Sequence, residues 1–553
     1  MSIKVFSVAE MVAAEKAAHA SGVAYSQMME AAGWRVAEAV IARYPVEGRN
    51  ILILVGPGNN GGDGLVAGRY LAEAGANIAF YLFRPRDAQS DANYAKIQQM
   101  GLFAIEAEYD QQFRALRTRL NVTDLLIDAL LGTGVSRPIK GDMATLLQQV
   151  QTGLQERAAL HGEQTQLGLV SIAEVQAPPV STVNRPGRST PRPIVVAVDC
   201  PSGLNCDTGA LDALAVSADL TVTFAGPKRG HFQFPGAAAC GELVVADIGI
   251  GGAIPAMPDV PVSLMTAVSA RDMLPQRPLQ GHKSTFGWVF IAAGSQDYWG
   301  APVLAARGAY RVGAGLVALA VPERIRATIA AQIPEATYPA VREQHLLGVE
   351  SARLLLKQIG RYKALLIGPG LGDAAEFMEV LCRPDGPVPD LPPLVVDADG
   401  LNLLARMANW PQRLPAHTVL TPHPGEMARL LGVETLPADR IELARTQAAA
   451  WGHVVVLKGA YTVVAAPNGR CHIIPFANPI LGTAGSGDVL AGVIAGLLAQ
   501  GLAAYEAAVL GAYLHGAAGQ LASAKMGDAG LLAGELADWL PQVRHTLRGT
   551  GSS

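Results

Sequence analysis

Residues 51–75 read ILILVGPGNNGGDGLVAGRYLAEAG, and this stretch decides the fold of the first half of the chain. A run of apolar residues predicts a buried strand, a glycine-dense turn follows it, and the alanine- and leucine-rich remainder has the pattern of a helix. The same order recurs along the rest of the sequence. Short apolar runs that alternate with helical patterns are typical of βαβ units, so the sequence predicts an α/β fold with parallel sheets.

The predicted strands form two sets. In the first half they are 51–55, 78–83, 125–129, 194–198, 220–224 and 243–246. In the second half they are 289–293, 317–321, 364–367, 394–396, 419–420 and a hairpin around Gly459 made of 454–457 and 463–466. At 553 residues the chain is too long for one hydrophobic core. We therefore predict a domain over 1–250 with an insertion at about 153–192, a proline- and glycine-rich linker over 251–264, and a domain over 265–545.

Composition limits the classes of function. Half of the residues are hydrophobic and 16% are charged, which is typical of tightly packed enzymes. The 43 basic residues nearly balance the 47 acidic ones, so we expect no nucleic-acid partner. No apolar run is long enough for a membrane helix and the N-terminus lacks a signal peptide, which predicts a cytoplasmic protein without a membrane partner. The five cysteines contain no CxxC pair, and we expect unpaired thiols.

The glycine-dense turn predicts an anion site, because backbone N–H groups and the dipole of the following helix both favour negative charge. Gly56, Gly58 and Gly61 match the pattern GxGxxG. The dinucleotide fingerprint also requires an acidic residue after the second strand, where this sequence has FYLFRPR, so an ordinary NAD-dependent dehydrogenase is disfavoured. The turn adds polar groups that a structural turn does not need, namely Asn59, Asn60 and Asp63.

Two aspartates end predicted strands of the first half. Asp128 lies in LLIDALLGTG and Asp199 in IVVAVDCPSG, and ligands of open α/β sheets bind beyond the carboxyl ends of the strands. Either aspartate alone is as consistent with a loop anchor as with a site. The oxygens of Asn60, Asp128 and Ser202 are suited to a hard cation. Asp199 is then the candidate for proton transfer.

Residues 482–501, GTAGSGDVLAGVIAGLLAQG, predict a second anion site at the start of a helix. Positioned N–H donors together with the carboxylate of Asp488 suit phosphoryl transfer to a hydroxyl group. A helix start that serves only close packing is the alternative. Lys458 follows a strand and is either a ligand or a solvated side chain. His423 is either a ligand or a structural residue, namely a helix cap or a core histidine.

The motifs GPGNNGGDG, DALLGTG and DCPSGLNCDTG resemble those of the NAD(P)H-hydrate epimerase family over about residues 1–250. The resemblance implies a Rossmann-like three-layer sandwich that interconverts the R and S epimers of the hydrates, NADHX and NADPHX. It implies a potassium site formed by Asn60, Asp128 and Ser202. It also implies substrate contacts by Asn59, Asn60, Gly61, Gly62, Asp63, Gly132, Thr133, Gly134, Val135, Ser136, Arg137, Pro138 and Asp199, the last of them catalytic.

The motifs IGPGLG, DADGLN, LTPHPGEMARLLG and NPILGTAGSGDVLAG resemble the ribokinase-like superfamily and, within it, ADP-dependent NAD(P)H-hydrate dehydratases over about 265–545. The resemblance implies a three-layer α/β/α domain that uses ADP as co-substrate with Mg²⁺, gives AMP and phosphate, and has Asp488 as its catalytic residue. The implied contacts with the hydrate are Ala301, Gly370, His423 and Asp488. The implied contacts with ADP are Lys458, Gly459, Ala460, Tyr461, Thr462 and Gly487.

The order of the two resemblances predicts a bifunctional repair enzyme, because an epimerase would supply the single epimer that a dehydratase accepts. The family resemblance also implies a homo-oligomer. Two other classes of function remain open at this point. One is a ribokinase-like kinase of a small molecule such as a vitamin precursor, and the other is a regulator that binds nucleotides without turnover.

Overall fold

The computed structural model describes residues 3–162, 192–250, 259–383 and 390–549. Contacts between Cα atoms divide the chain into two compact units. The first is Val5–Val260, and the second is Pro261–Ser553 with the N-terminal Met1–Lys4. Strands and helices alternate in both units, so the predicted α/β class is confirmed.

The first unit is built on a parallel sheet of seven described strands in the order β4-β3-β2-β5-β6-β7-β8. These strands are β2 Asn50–Val55, β3 Asn77–Leu82, β4 Phe103–Glu106, β5 Leu125–Ala129, β6 Ile194–Val198, β7 Leu220–Phe224 and β8 Glu242–Ala246. The helices are α1 Val8–Ala20, α2 Tyr25–Ile41, α3 Asn59–Glu73, α4 Ala92–Gln99, α5 Arg114–Val122, α6 Gly141–Gly162 and α7 Gly236–Ala239, with 3₁₀ turns at Ala107–Tyr109, Gln111–Phe113 and Arg229–Phe232.

Alternation along β2 explains the layers of this unit. Ile51 and Ile53 pack into a core shared with α1 to α4, whereas Leu52 and Leu54 face a second core shared with α5 and α6. Apolar side chains on both faces of a parallel strand require helices on both sides of the sheet. The carboxyl ends of β5, β6 and β7 consequently meet at one edge, where the loops after these strands lie side by side.

The second unit contains a sheet of ten described strands in the order β1-β9-β17-β16-β15-β14-β13-β12-β10-β11. Its strands are β1 Ile3–Lys4, β9 Val262–Leu264, β10 Trp288–Ala292, β11 Leu316–Ala320, β12 Ala364–Ile367, β13 Leu394–Val396, β14 Val419–Leu420, β15 Val454–Leu457, β16 Val463–Ala465 and β17 Cys471–Ile473. The strands from β10 to β15 are parallel, and β16 pairs antiparallel with both β15 and β17.

Helices cover both faces of this second sheet as well. They are α8 Ala267–Met273, α9 Gly300–Arg311, α10 Glu323–Gln332, α11 Val349–Gln358, α12 Ala375–Leu381, α13 Asp399–Leu404, α14 Pro424–Leu431, α15 Arg440–Trp451, α16 Ser486–Ala499, α17 Ala504–Met526 and α18 Ala533–Gly549. Single 3₁₀ turns lie at Ile359–Arg361, Trp410–Arg413 and Pro479–Leu481. Helix α16 is buried along almost its whole length, which explains why its sequence is nearly free of charge.

Four features differ from the sequence-based expectation. Strands β4 and β17 lack a continuous apolar run, and β1 and β9 are too short to be seen as strands in the sequence. Strand β9 also places 262–264 in the second sheet, although the sequence assigned them to the linker. The helix α6 continues to Gly162, so residues 153–162 of the predicted insertion are helical and not a loop. The remainder of the predicted insertion, 163–191, and linker residues 251–258 lie outside the described residues.

Candidate active sites

A glycine-rich turn opens helix α3 in the first unit, as the sequence predicted. Gly58 is the N-cap residue, and Arg86 donates from Nη2 to the carbonyl oxygens of Gly56 (2.7 Å) and Gly58 (3.1 Å). A Cβ at Gly61 would lie 2.1 Å from the oxygen of Gly56, so no larger residue fits there. The turn therefore holds the free N–H groups of α3 at the carboxyl edge of the sheet.

A buried carboxylate without a cationic partner lies at the same edge. Ser202 donates to Asp128 from Oγ to Oδ1 (2.6 Å) and from its backbone N to Oδ2 (2.8 Å). Burial raises the pKa of Asp128 in spite of these bonds, and no cationic side chain of the described residues pairs with it. A Cβ at Gly132 would lie 3.3 Å from Oδ1 of Asn60, whose buried Nδ2 has no partner within the described ranges. The oxygens of Asp128, Ser202 and Asn60 are of the kind that hard cations take as ligands.

Asp199, directly after β6, is clamped through one of its two oxygens. Oδ1 accepts hydrogen bonds from Thr223 Oγ1 (2.9 Å), from the backbone N of Phe224 (3.4 Å) and from Lys228 Nζ. No hydrogen bond of the described residues reaches Oδ2. Asp199 has a φ of 64°, a strained backbone for a residue other than glycine. The arrangement leaves one fixed carboxylate oxygen free to accept a proton.

The acidic groups of this cluster have pKa values shifted in opposite directions. Burial would raise the pKa of Asp199, but the charge and hydrogen bond of Lys228 outweigh it and lower the pKa. Burial and the charge of Asp199 raise the pKa of Asp63 well above its usual value. Burial also raises the pKa of Glu15. Burial and the positive charge of Lys228 lower the pKa of the neighbouring His231 to about 3. The site therefore holds two carboxyl groups whose pKa values are shifted in opposite directions, which is the arrangement of an acid–base pair.

The second unit places a carboxylate at the start of α16. Gly485 is the left-handed N-cap with a φ of 87°, and Asp488 lies in the first turn of the helix. A Cβ at Gly487 would lie 3.4 Å from Lys458 Nζ and 4.0 Å from Asp397 Oδ2. The helix N-terminus, a lysine and two aspartates thus meet in one place.

Lys458 is the single cation of this acidic cluster among the described residues. Its Nζ donates to Asp397 Oδ1 (2.6 Å) and lies 3.6 Å from Glu426 Oε2. Asp397 is 1% exposed and also accepts a hydrogen bond from Thr421 Oγ1 (2.7 Å). Burial and the neighbouring Asp397 raise the pKa of Asp488 to about 7. A carboxyl group with this pKa can accept a proton near neutral pH.

The predicted contacts of the hydrate lie around this cluster. A Cβ at Gly370 would lie 2.9 Å from Cβ of Ala301, so these two residues are neighbours. His423 is the N-cap of α14, where its Nδ1 accepts a hydrogen bond from the backbone N of Gly425 (3.0 Å). A cleft of about 600 Å³ opens nearby, and its walls include Tyr298, Gly372, Asp399, Asn402, Arg406 and Arg429.

The turn from Lys458 to Thr462 is held by Arg440. The guanidinium group of Arg440 donates from Nη1 to the oxygen of Ala460 (2.7 Å) and from Nη2 to the oxygen of Lys458 (3.0 Å). A Cβ at Gly459 would lie 2.7 Å from Nη2 of Arg440. Arg440 is thus a positioning residue, because it fixes the backbone from which Lys458 reaches Asp397.

Comparison with known proteins assigns both units. The model of the NAD(P)H-hydrate dehydratase family matches residues 289–542, and the model described as YjeF-related protein N-terminus matches 25–230. A bifunctional NAD(P)H-hydrate repair enzyme of Moorella thermoacetica is 39% identical over 94% of this chain and 92% of its own. The chain belongs to the family of bifunctional NAD(P)H-hydrate repair enzymes. A second such enzyme, from Thermofilum pendens, is 35% identical over 99% of this chain and 97% of its own.

One solved structure is also similar. The ADP/ATP-dependent NAD(P)H-hydrate dehydratase of Bacillus subtilis, co-crystallised with ATP and Mg²⁺, is 33% identical and covers 51% of this chain and 98% of its own, with a TM-score of 0.44. Membership of the repair-enzyme family confirms the predicted family, fold and enzyme class, and it disfavours the vitamin-precursor kinase and the regulator. None of the described helices has the length and apolar character needed to cross a membrane.

The structure brings together only some of the residues that we predicted for the epimerase site of the first unit. Asn60, Asp63, Gly132, Asp128, Ser202 and Asp199 lie at one edge of the sheet. No hydrogen bond among the described residues joins the rest of the predicted loop to this cluster. The rest of the loop consists of Thr133, Gly134, Val135, Ser136, Arg137 and Pro138. Gly62 packs against Met29, and Asn59 is exposed at the start of the helix. The roles of all these residues stay predictions.

Sequence reasoning missed Lys228, Thr223 and Glu15 in the first unit. Thr223 and Lys228 stand at the end of β7 and in the loop after it, so the rule that singled out Asp128 and Asp199 applies there too. Lys228 is 1% exposed, and a lysine is almost never buried unless it is paired. Nothing in the sequence pattern signals Glu15, which α1 carries into the cluster.

We expect Lys228→Met to destabilise the protein by about 3–5 kcal/mol, because it leaves the Asp199 carboxylate buried without its cation. Combining Lys228→Met with Asp199→Asn should recover most of this loss. The free energy of unfolding, measured by urea denaturation, tests both expectations. The control is Lys16→Met at an exposed position of α1, which should change little. A double variant as unstable as the sum of the two single variants would contradict the pairing.

We expect Asp488→Asn to stabilise the protein above pH 7 by on the order of 1–3 kcal/mol. The pKa of this carboxyl is about 7 in the folded protein against a usual 3.8. The native state therefore binds an extra proton between these values, and its stability falls as the pH rises through them. The asparagine side chain does not titrate. Thermal melts at pH 4.5 and pH 8 should show a gain only at pH 8, and exposed Asp528→Asn should show none.

Proposed function

We propose that the first unit interconverts the R and S epimers of NADHX and NADPHX, and that the second unit dehydrates the S epimer with ADP, giving AMP and phosphate. The observation that supports it is that two separate acid sites, one around Asp199 and one around Asp488, lie beside the N-termini of α3 and α16. Each helix start offers N–H donors to a phosphate group of a nucleotide substrate.

Epimerisation requires one proton donor and one proton acceptor. The C6 carbon of the hydrate bears a hydroxyl group and is bonded to the ring nitrogen. When Asp63 protonates this hydroxyl, the C–O bond breaks, water leaves, and the nitrogen lone pair stabilises the cation. Asp199 then accepts a proton at Oδ2 from water that adds to the opposite face of C6. The shifted pKa values of the two aspartates support these roles.

We assign a potassium ion to the oxygens of Asn60, Asp128 and Ser202. A bound cation would offset the buried charge of Asp128 and would take Oδ1 of Asn60 as a further ligand. We expect epimerase activity to fall when K⁺ is replaced by Li⁺ at constant ionic strength. Ser202→Ala should raise the K⁺ concentration needed for half-maximal activity by about tenfold. Equal activity in both salts would contradict the assignment, and dehydration of the S epimer is the internal control.

Dehydration begins with phosphoryl transfer. The oxygen of the C6 hydroxyl attacks the β-phosphorus of ADP while Asp488 accepts the hydroxyl proton, and AMP leaves. The C6–O bond of the phosphate ester then breaks, a proton leaves C5, and the C5–C6 double bond of NAD(P)H returns with release of phosphate. Phosphate is a far better leaving group than hydroxide, which explains why a nucleotide is consumed. Backbone N–H groups at Gly487 and the ammonium group of Lys458 would hold the transferring phosphoryl group.

A divalent cation fits the second site as well. Three carboxyl groups, those of Asp397, Glu426 and Asp488, surround the single ammonium group of Lys458. Mg²⁺ prefers oxygen ligands and, when bound, neutralises charge on a transferring phosphoryl group. We propose that Asp397 and Glu426 hold Mg²⁺ together with ADP, which leaves Asp488 as the base.

The overall test mixes the purified full-length chain with NADHX, ADP, Mg²⁺ and K⁺. The return of NADH absorbance and the release of AMP are followed together. Conversion of both epimers with one AMP per NADH would support both activities, and conversion of only half of an equal mixture would remove the epimerase from the proposal. Accumulation of a phosphorylated hydrate without NADH would point to a kinase.

We further propose a cytoplasmic homo-oligomer. All five cysteines are buried and none forms a disulfide, which fits a reducing compartment. Size-exclusion chromatography with light scattering measures the oligomeric state, and a mass of 57.7 kDa would correspond to a monomer and contradict this part of the proposal.

A further inference from the structure

Three arginines converge in the second unit, at the C-terminal end of α16, whereas Asp488 lies in its first turn. Arg277 donates from Nη1 to the oxygen of Gly313 (2.9 Å), and Arg548 donates from Nη2 to the oxygen of Pro275 (3.2 Å). A Cβ at Gly313 would lie 2.3 Å from Nη1 of Arg277 and 3.2 Å from Nη1 of Arg544. The guanidinium groups of Arg277 and Arg544 are therefore immediate neighbours, and Arg548 lies one helical turn beyond Arg544.

Arg544 is buried, and its Nη1 has no hydrogen-bond partner among the described residues. Its side chain is 8% exposed, and no hydrogen bond or ion pair connects it to any residue that the structure describes. Burial and the charges of Arg548 and Arg277 lower its pKa to about 10, so the group is still charged at neutral pH. In the described part of the chain no carboxylate pairs with any of the three arginines. Three positive charges thus lie together with no carboxylate beside them among the described residues. Two of them, Arg277 and Arg548, are exposed, and Arg277 also lies 3.6 Å from the ring centroid of Phe286.

The end of helix α16 does not balance these charges. Arg277 Nη1 lies 3.4 Å from Oε1 of Gln500, the residue that follows α16. A helix C-terminus carries a partial charge of only about −0.5, against three full positive charges. Leaving a buried charge unpaired costs several kcal/mol, whereas an anion between the guanidinium groups would supply the missing acceptors.

We propose that Arg277, Arg544 and Arg548 form a binding site for a phosphate oxyanion, separate from both acid sites. Planar guanidinium groups match the oxygens of phosphate in paired hydrogen bonds. The site lies at the C-terminal end of α16, and Asp488 lies in its first turn. The helix has 14 residues, which corresponds to on the order of 20 Å. The ligand is free phosphate or the phosphoryl group of a nucleotide, both of which carry the same chemistry.

Binding is measured by isothermal titration of the full-length chain with inorganic phosphate and, separately, with AMP, in chloride buffer of constant ionic strength. The parent chain and Arg544→Met are titrated under identical conditions, because the first turn of α16 also offers a phosphate site whose contribution is common to both proteins. We expect saturable binding that Arg544→Met weakens by at least about tenfold. Arg277→Gln, at an exposed position, should weaken it similarly. Tighter binding of AMP than of phosphate would identify a nucleotide as the ligand, and the reverse order would identify free phosphate. Absence of binding by both would overturn the proposal.

Thermal melts provide a second test that does not depend on activity. In phosphate-free buffer Arg544→Met should melt at the temperature of the parent protein or above it, because it removes an unpaired buried charge. Added phosphate should raise the Tm of the parent and of the control Arg324→Met, which is exposed on α10, by more than it raises the Tm of Arg544→Met. If the Tm of Arg544→Met lies below that of the parent by the same amount with and without phosphate, then the protein itself pairs the charge of Arg544. That result would refute the site.

Discussion

Asp488→Ala is expected to lower the rate of ADP-dependent dehydration by roughly 10²–10⁴-fold and to leave epimerisation unchanged. The carboxyl lies in the first turn of α16, close to Asp397 and Lys458, and its pKa of about 7 suits a base at neutral pH. Without it, the C6 hydroxyl has no acceptor for its proton as it attacks ADP. The measurement is the rate of AMP release and of NADH formation from the pure S epimer.

A matched control separates chemistry from binding. Asp528→Ala changes an exposed aspartate of the same unit and should retain full dehydration. Titration of ADP should show that Asp488→Ala still binds the nucleotide, because Lys458 and the turn fixed by Arg440 are unchanged. If a folded Asp488→Ala protein lost epimerisation as well, the assignment of one reaction to each site would be wrong.

The sequence identifies the parts of each site that are contiguous. The turn at 56–63 and the helix start at 485–488 combine small residues with a carboxylate, and this combination is visible without any structure. Strand ends are also visible, because a long apolar run stops at a polar residue, as at Asp128. These local signals were sufficient to predict the fold and the family.

The sequence does not identify partners that only the fold brings together. Lys228 lies 29 residues after Asp199, and its pairing depends on the adjacency of β6 and β7. Arg440 reaches the turn at Lys458 because α15 packs beside β15. In both cases a long side chain crosses between elements, and spacing along the chain carries no trace of that contact.

Burial is the other property that the sequence conceals. Asp63 and Asp199 are both aspartates at the same sheet edge, and nothing in their local sequence distinguishes a proton donor from a proton acceptor. The difference arises because Lys228 contacts Asp199, whereas burial and the charge of Asp199 act together on Asp63. The direction of each pKa shift is a property of the packed cluster.

Asp199→Asn is expected to lower epimerisation by roughly 10²–10⁴-fold while dehydration of the S epimer continues at the parent rate. Asparagine preserves the shape of the side chain and can still accept the hydrogen bond of Thr223, but it cannot take up a proton from water. A mixture of epimers should therefore give rapid NADH formation from the S form, followed by a slow phase limited by spontaneous epimerisation.

A comparison variant distinguishes loss of the base from a structural defect of the first unit. Asp199→Asn removes the counter-charge of Lys228, so the first unit could fail by unfolding instead of by loss of the base. Thr223→Val is the comparison, because it removes one hydrogen bond to Asp199 Oδ1 and keeps both charges. If proton transfer by Asp199 limits the reaction, Thr223→Val should retain most of the epimerase rate while Asp199→Asn loses it. Both variants should resist proteolysis equally, which shows that both are folded. Equal losses in the two variants would mean that the hydrogen-bonded frame around Asp199, and not proton transfer at Oδ2, limits the reaction.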